Sequence, residues 1–434
     1  MDFAFDLTQG LFSSAGVDVG TQLLLKVLSG MLDADADAGA GRPPPGKVLD
    51  AGCGVGVIGI CAAAALAAMD PPAGYAVRCQ DRDELARLFT LHNAAKNRKA
   101  FGRTPPTLEA HTEPLLAGPR DVRWDMILTN IPAKAGTPVL EDFVRRSVDL
   151  LAPGGRVVAV VVNTLADFLR GQIALAGAEL LSEQQGSGHS VLAYAAGERR
   201  DAAPVDAGPG FLSRHPFYVR TAACCKIVDT DIRMETVHGA SGFDEPGDAV
   251  AVAAKLACRM GPGEFAGDGG APLLVHEPGQ GFFPCWLLEF MRGDVGPGET
   301  PRLVLSGRNI LALEAARHNV SRMAAQDGTA DSTVVPAADL RLGRQALLEA
   351  ADGKRYAGIA AFPELLPQSS LPKGTDQLAA LWDALLPLLA PGGVFLAAFA
   401  SSEAERFDRK KPAGFARLGG IKRNGFRALA YRHF

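Results

Sequence analysis

Paired cysteines are missing from this chain. Its seven cysteines (Cys53, Cys61, Cys79, Cys224, Cys225, Cys258 and Cys285) are odd in number and include no C-x-x-C. Neither a disulfide framework nor a zinc site is expected, and the thiols read as small buried apolar groups. The eight histidines contain no H-x-x-x-H pair, and no carboxylate cluster has metal-ligand spacing, so no metal cofactor is expected. Net positive charge is also lacking. The formal charge of −4 gives no global pull toward nucleic acid or an anionic membrane surface. No apolar run reaches the ~20 residues a bilayer requires; the longest nearly uncharged stretch is "VIGICAAAALAAM". The opening "MDFAFDLTQG" is acidic and has no basic n-region, so no secretory signal is expected and a cytoplasmic location is.

What is present is a balanced globular composition, 47% apolar and 21% charged, over 434 residues. That length suits two domains of about 200 residues better than one core. Blocks of sequence recur in the same order. "LDAGCGVG" at Leu49–Gly56 returns as "HEPGQGFF" at His276–Phe283, setting Asp50, Gly52 and Gly54 opposite Glu277, Gly279 and Gly281. "DRDELARLFTLHN" lies opposite "GRNILALEAARHN", and "LLAPGGRVVAVVV" opposite "LLAPGGVFLAAFA". The arm at Asp2–Gly10 matches Asp231–Gly239. The repeat is a whole domain, which predicts domains at 1–197 and 217–434 joined by a linker at 198–216. Within each copy, short β-rich runs alternate with segments of helical spacing. This predicts an α/β fold in each copy, a mostly parallel sheet with helices on both faces and ligands at the carboxyl ends of the strands.

The chemistry falls at those ends. After the strand "KVLD", Gly52 and Gly54 let the backbone turn and approach a ligand closely. Asp50 just before them suits a ligand with a cationic amino-acid end rather than a phosphate. Asp81 follows the second strand, where a carboxylate can accept from both ribose hydroxyls; Asp83 is the better cap for the helix that follows. "DMILTNIPAKAG" ends a strand on Asn130, with Ile131, Pro132, Ala133 and Lys134 after it.

Together, D-x-G-x-G, an acid after strand two and Asn-x-Pro after strand four resemble the class I S-adenosylmethionine-dependent methyltransferases. "GLFSSAGVDVGTQLLL" upstream resembles the entry segment of the ribosomal RNA small-subunit guanine-N2 methyltransferases of the methyltransferase small domain type, enzymes with tandem domains of which one is active. The resemblance implies two tandem Rossmann-like methyltransferase domains and S-adenosyl-L-methionine as cofactor. It places Phe12, Asp18, Gly20 and Thr21 in the cofactor and substrate cleft. It also implies that Asn130 and Ile131 hold the target amine through an amide oxygen and a carbonyl, that Pro132 fixes the turn, and that RNA is the partner. Two nearby features stay open: Asp18 also reads as a helix cap, and Lys134 reads either as a substrate-binding cation that meets a phosphate or acidic group or as a solvated loop residue. Where the family carries a stacking aromatic, this chain has Ala133.

The second copy sets Gly307 opposite Asp81 and Phe362–Pro363 in place of Asn-Ile-Pro, so cofactor binding there should be weakened and it reads as a degenerate domain that packs against the first or holds substrate. In the family the intact domain is the C-terminal one; here it is the N-terminal one. The cationic stretch "RFDRKKPAGFARLGGIKRNGFRALAYRHF" reads either as an RNA-guiding surface or as a solvated hairpin. RNA guanine is the first-choice acceptor. A small molecule or protein side chain is the alternative, and a non-catalytic cofactor-binding scaffold is the third reading.

Overall fold

The computed structural model describes residues 2–11, 16–37, 43–69, 74–102, 105–118, 121–197, 210–266, 270–292, 302–325, 332–366 and 373–434. The chain divides into two compact units, Met1–Val205 and Asp206–Phe434. Of the expected linker 198–216, residues 198–209 lie outside the described ones; the remainder is not an open linker but begins a short helix at Phe211.

The first unit runs α1 (Val19–Asp37), β1 (Lys47–Ala51), α2 (Val57–Ala67), β2 (Ala76–Asp81), α3 (Glu84–Lys96), β3 (Thr107–Thr112), β4 (Trp124–Asn130), α4 (Thr137–Leu150), β5 (Leu151–Val162), α5 (Ala166–Leu175), β6 (Glu179–Gln185) and β7 (His189–Ala195). The second runs α6 (Phe211–Arg214), β8 (Val219–Ile227), β9 (Thr230–Val237), α7 (Asp248–Met260), α8 (Gly263–Ala266), β10 (Leu273–His276), α9 (Phe282–Met291), β11 (Leu303–Gly307), α10 (Ile310–Ala325), β12 (Ser332–Pro336), α11 (Arg344–Ala350), β13 (Tyr356–Ala361), α12 (Gln377–Leu385), β14 (Leu389–Ala400), α13 (Ser401–Arg409), β15 (Phe415–Arg423) and β16 (Phe426–His433).

Each unit carries a seven-stranded sheet of one topology, β3-β2-β1-β4-β5-β7-β6 in the first and β12-β11-β10-β13-β14-β16-β15 in the second. In the first sheet β3 through β5 are parallel, while β7 and β6 are added antiparallel. The Val- and Ile-rich strands are buried on both faces, as parallel strands must be. Val48, Val77, Met126 and Val158 form one core cluster with Leu24, Leu28 and Leu32 of α1 and Ile58 and Ile60 of α2. On the other face Tyr194 of β7 meets Ser147 of α4 at 2.9 Å. The strand order reverses between β1 and β4, and in such sheets the crevice at that switch point takes the ligand. The glycine loop and Asn130 lie there.

The duplication extends to individual side chains. Asn93 of α3 accepts from Asp6 N and donates to the Asp6 and Val55 carbonyls. Asn319 of α10 does the same with Glu235 and Gln280. Asp6 pairs with His92 and Lys96, and Glu235 with His318 and Arg322.

These contacts also correct the alignment of the glycine loops. Gly52 N donates to Gln80 O, and Glu277 N to Ser306 O. Gly52, Gly54 and Gly56 have φ of 83°, 55° and 87°; Glu277, Gly279 and Gly281 have 54°, 55° and 103°. Glu277 therefore stands where Gly52 does, two residues from the pairing read off the sequence. The counterpart of Asp50 is the apolar Val275.

Candidate active site

The glycine loop between β1 and α2 is shaped by residues that sequence reading did not single out. Gly56 begins α2 in the left-handed region, and a Cβ there would lie 2.9 Å from Thr90. Thr90 donates to Gly54 O at 3.2 Å, and Asn93 holds Val55 O from the same helix. The loop is thus fastened from α3, while Gly54 faces open space. Over Gly52, a Cβ would have only Leu115 nearby, at 3.7 Å. Leu115 follows β3 and has φ 42°, a strained conformation for a branched side chain, so it borders the loop as a further residue sequence reading missed.

Asp50 is wholly buried. Its Oδ2 accepts Gly59 N at 2.8 Å, satisfying one of the amides that the first turn of α2 leaves without an intrahelical partner. Its Oδ1 is buried with no hydrogen-bond partner among the described residues. Burial raises its pKa to about 7, against the pull of the Gly59 bond, and the neighbouring Asp81 charge adds to the rise. At the end of β2, Asp81 accepts Gly54 N through Oδ2 and Asp83 N through Oδ1, both at 3.0 Å. Burial raises the Asp81 pKa as well, opposed first by the Gly54 bond. Asp83 caps α3 through Leu85 N. Each Asp81 oxygen retains a lone pair for a further donor.

Across the crevice Asp18, Thr21 and Asn130 come together. Asp18 caps α1, accepting Thr21 N at 3.1 Å, and Thr21 Oγ1 donates to Asp18 Oδ2 at 2.6 Å. Asn130 Nδ2 donates to both Asp18 oxygens at 3.3 Å and to Thr21 Oγ1 at 3.0 Å. An ionised carboxylate can only accept, so this pairing fixes which end of the amide faces Asp18. Asn130 Oδ1 is left without a partner among the described residues. Asp18 is therefore a cap and a holder of Asn130 at once. Gly20 lets α1 approach His189 closely, since a Cβ there would lie 2.8 Å from the ring. Ile131 is 2% exposed and anchors the turn, while Pro132 (φ −62°) and Lys134 face solvent. Phe12 lies outside the described residues.

A family model, the methyltransferase small domain, matches residues 2–170. That match spans most of the first unit. Methyl transfer is accordingly the chemistry, with S-adenosyl-L-methionine the cofactor the family match implies. Among solved structures the chain is similar to a Thermus thermophilus 16S rRNA N2 G1207 methyltransferase (RsmC) in complex with AdoMet and guanosine. That likeness has 15% identity and a TM-score of 0.59, and covers 99% of this chain and 95% of that one. It extends the shared fold over both units. A ribosomal protein L11 methylase from Lactobacillus delbrueckii subsp. bulgaricus matches at 20% identity, over 42% of this chain and 82% of its own, with a TM-score of 0.33.

The methyltransferase domain's residues fit that cofactor. The open surface over Gly54 admits close approach of a ligand, Asp81 retains acceptor capacity for ribose hydroxyls, and the orphaned Asp50 Oδ1 leaves a buried acceptor under the loop. When bound, the cofactor supplies an electrophilic methyl group on sulfur. Among the described residues no group of three His, Cys, Asp or Glu side chains is placed to hold a metal, and no helix is long and apolar enough to cross a membrane.

In the second unit the corresponding cleft is filled from within. A Cβ on Gly307 would lie 2.9 Å from Glu277 Oε2, so the Glu277 carboxylate occupies the space beside the position equivalent to Asp81. Its Oε1 accepts Arg308 N at 2.9 Å. Phe362, at the position of Asn130, packs on the fully buried Phe283 with ring centroids 5.0 Å apart. In the cationic C-terminal stretch Arg417 pairs with Asp408, Arg427 with Glu405 and Lys410 with Asp376, so much of that charge is neutralised within the unit.

Proposed function

We propose that the first unit methylates the exocyclic amine of guanine in RNA, with ribosomal RNA the first choice, and that the second unit holds no cofactor. The observation that carries the reading is the orientation of Asn130. Asp18 and Thr21 tie its amide nitrogen, leaving Oδ1 free at the carboxyl end of β4 to accept from an amine N–H. An amine held this way keeps its lone pair for the incoming methyl. The N–C bond forms as the S–C bond breaks, and the nitrogen then releases a proton to solvent. Rate on this scheme comes from alignment, with no strong base needed. Asp81 and the Gly52–Gly56 loop would hold the cofactor's nucleoside, and Asp50 its amino end. The solved structure that shares this fold across both units is of a protein acting on N2 of a 16S rRNA guanine, which supports the choice of acceptor.

The test is transfer of labelled methyl groups to ribosomal RNA from cells lacking the enzyme. Asn130→Ala should lower kcat by about 100-fold or more, the scale of lost alignment, with S-adenosylhomocysteine affinity unchanged. Unchanged turnover in that variant would refute the role given to Asn130. Label appearing only in protein or small molecules would refute the RNA acceptor.

A further inference from the structure

In the second unit, residues 239–247 form a loop between β9 and α7 at the carboxyl end of β10. The stretches before the helix match in length between the units: residues 11–18 precede α1 after Gly10, and residues 240–247 precede α7 after Gly239, eight in each. The second loop is thus the counterpart of the entry segment of the methyltransferase unit. It is firmly held. The buried Gln280 side chain accepts Val237 N at 2.6 Å and donates to Phe243 O at 2.7 Å and Ser241 O at 3.3 Å. Thr236 Oγ1 donates to Asp244 at 2.6 Å, and Asn309 holds Gly239 O at 3.2 Å.

At the tip of this fastened loop stands Phe243, 71% exposed. Its φ is 43°, a conformation that a bulky residue adopts only at a cost in free energy and that surrounding structure must impose. Gly242 beside it also has a positive φ, 88°. The Arg220 guanidinium lies over the ring, 5.2 Å from its centroid, and is itself paired with Asp244 at 3.0 Å. An arginine already paired with a carboxylate is a poor phosphate anchor. With the guanidinium over one face, the exposed phenyl ring keeps its other face for stacking on a nucleobase.

We propose that Phe243 and Arg220 form a base-stacking site by which the second unit holds single-stranded RNA. The proposal rests on the RNA reading above and gives the degenerate copy its task.

All three native tryptophans, Trp124, Trp286 and Trp382, are at most 5% exposed. A Phe243→Trp variant of the full chain therefore reports on this loop through its one exposed indole. Titration with oligoadenylate RNA should quench its fluorescence to saturation, and inorganic polyphosphate should not. Phe243→Ala should weaken oligoadenylate binding by about 5- to 150-fold, the range for one stacked base. It should raise KM for RNA and leave S-adenosylhomocysteine affinity unchanged, while Phe243→Tyr retains binding. An indole that stays silent with oligoadenylate, or is quenched equally by polyphosphate, would overturn the site. If the wild type methylates no RNA yet the indole is quenched by oligoadenylate alone, the acceptor assignment fails and the stacking site stands. If RNA is methylated and the indole is silent, only the stacking site fails.

Discussion

Asp50 offers a sharp test of the electrostatics beneath the glycine loop. Its carboxylate is fully buried, with one oxygen on Gly59 N and the other without a partner, and its pKa stands at about 7 against an ordinary aspartate value of ~4. In the unfolded chain it is ionised from about pH 5 upward. Between ~4 and 7 the folded state therefore binds more protons than the unfolded one, and stability falls as pH rises through that window, levelling off above it. A rise from ~4 to about 7, at ~1.4 kcal/mol per tenfold in proton affinity, makes the full effect about 4 kcal/mol, of which about 2–3 kcal/mol falls between pH 5 and pH 8. For a unit of some 200 residues that corresponds to roughly 5–10 °C in Tm.

Asp50→Asn keeps the acceptor for Gly59 N and nearly the same volume but cannot ionise. Its amide NH2 also lacks a partner, so the slope of Tm against pH, not its absolute value, is the readout. Calorimetric melts of wild type and variant from pH 5 to 8 should diverge, with the wild type losing about 5–10 °C more of the first unit's Tm. Parallel curves would refute the buried-charge argument. Melts with S-adenosylhomocysteine add a second arm at pH 8. A cofactor amino group that meets Asp50 should stabilise the wild type more than the variant, and equal stabilisation would place that amino group elsewhere.

The alternation of buried strands and helices, the glycine loop and the strand-end positions of Asp81 and Asn130 were legible in the sequence. Each is a local signal: buried strands as apolar runs, α3 by its periodicity and its Asp83 cap, the loop by glycines that need positive φ. The offset between the two glycine loops was not legible, for a specific reason. Glycines spaced two apart superimpose equally well after a slip of two, and an acid then falls opposite an acid. Only strand pairing and the Asn93 and Asn319 bonds fix the frame. The holding of Asn130 by Asp18 and Thr21 spans more than 100 residues of chain, so helix spacing revealed the cap and nothing of the second role. Gly307 read simply as a lost carboxylate. Seeing that Glu277 fills the gap required the fold, because Glu277 follows β10 and Gly307 ends the neighbouring β11, 30 positions apart in sequence.

Thr21→Val removes a hydroxyl that bridges Asp18 and Asn130 with little change in volume; kcat should fall about 10-fold for the loss of one such bond, with S-adenosylhomocysteine affinity held. An equal loss of affinity would make Thr21 a cofactor residue instead. The asymmetry of the two clefts makes the other prediction. Asp81 leaves acceptors facing an open glycine loop, whereas Glu277 crowds Gly307 and Phe362 packs on Phe283. A calorimetric titration with S-adenosylhomocysteine should therefore find one site per chain. Asp81→Ala should weaken that site by roughly 10- to 150-fold, the worth of charge-assisted hydrogen bonds at about 1.5–3 kcal/mol. Two sites per chain, or one site indifferent to Asp81→Ala, would mean that the Glu277 carboxylate serves the ribose in the second cleft rather than closing it. The duplicated fold would then hold two cofactors.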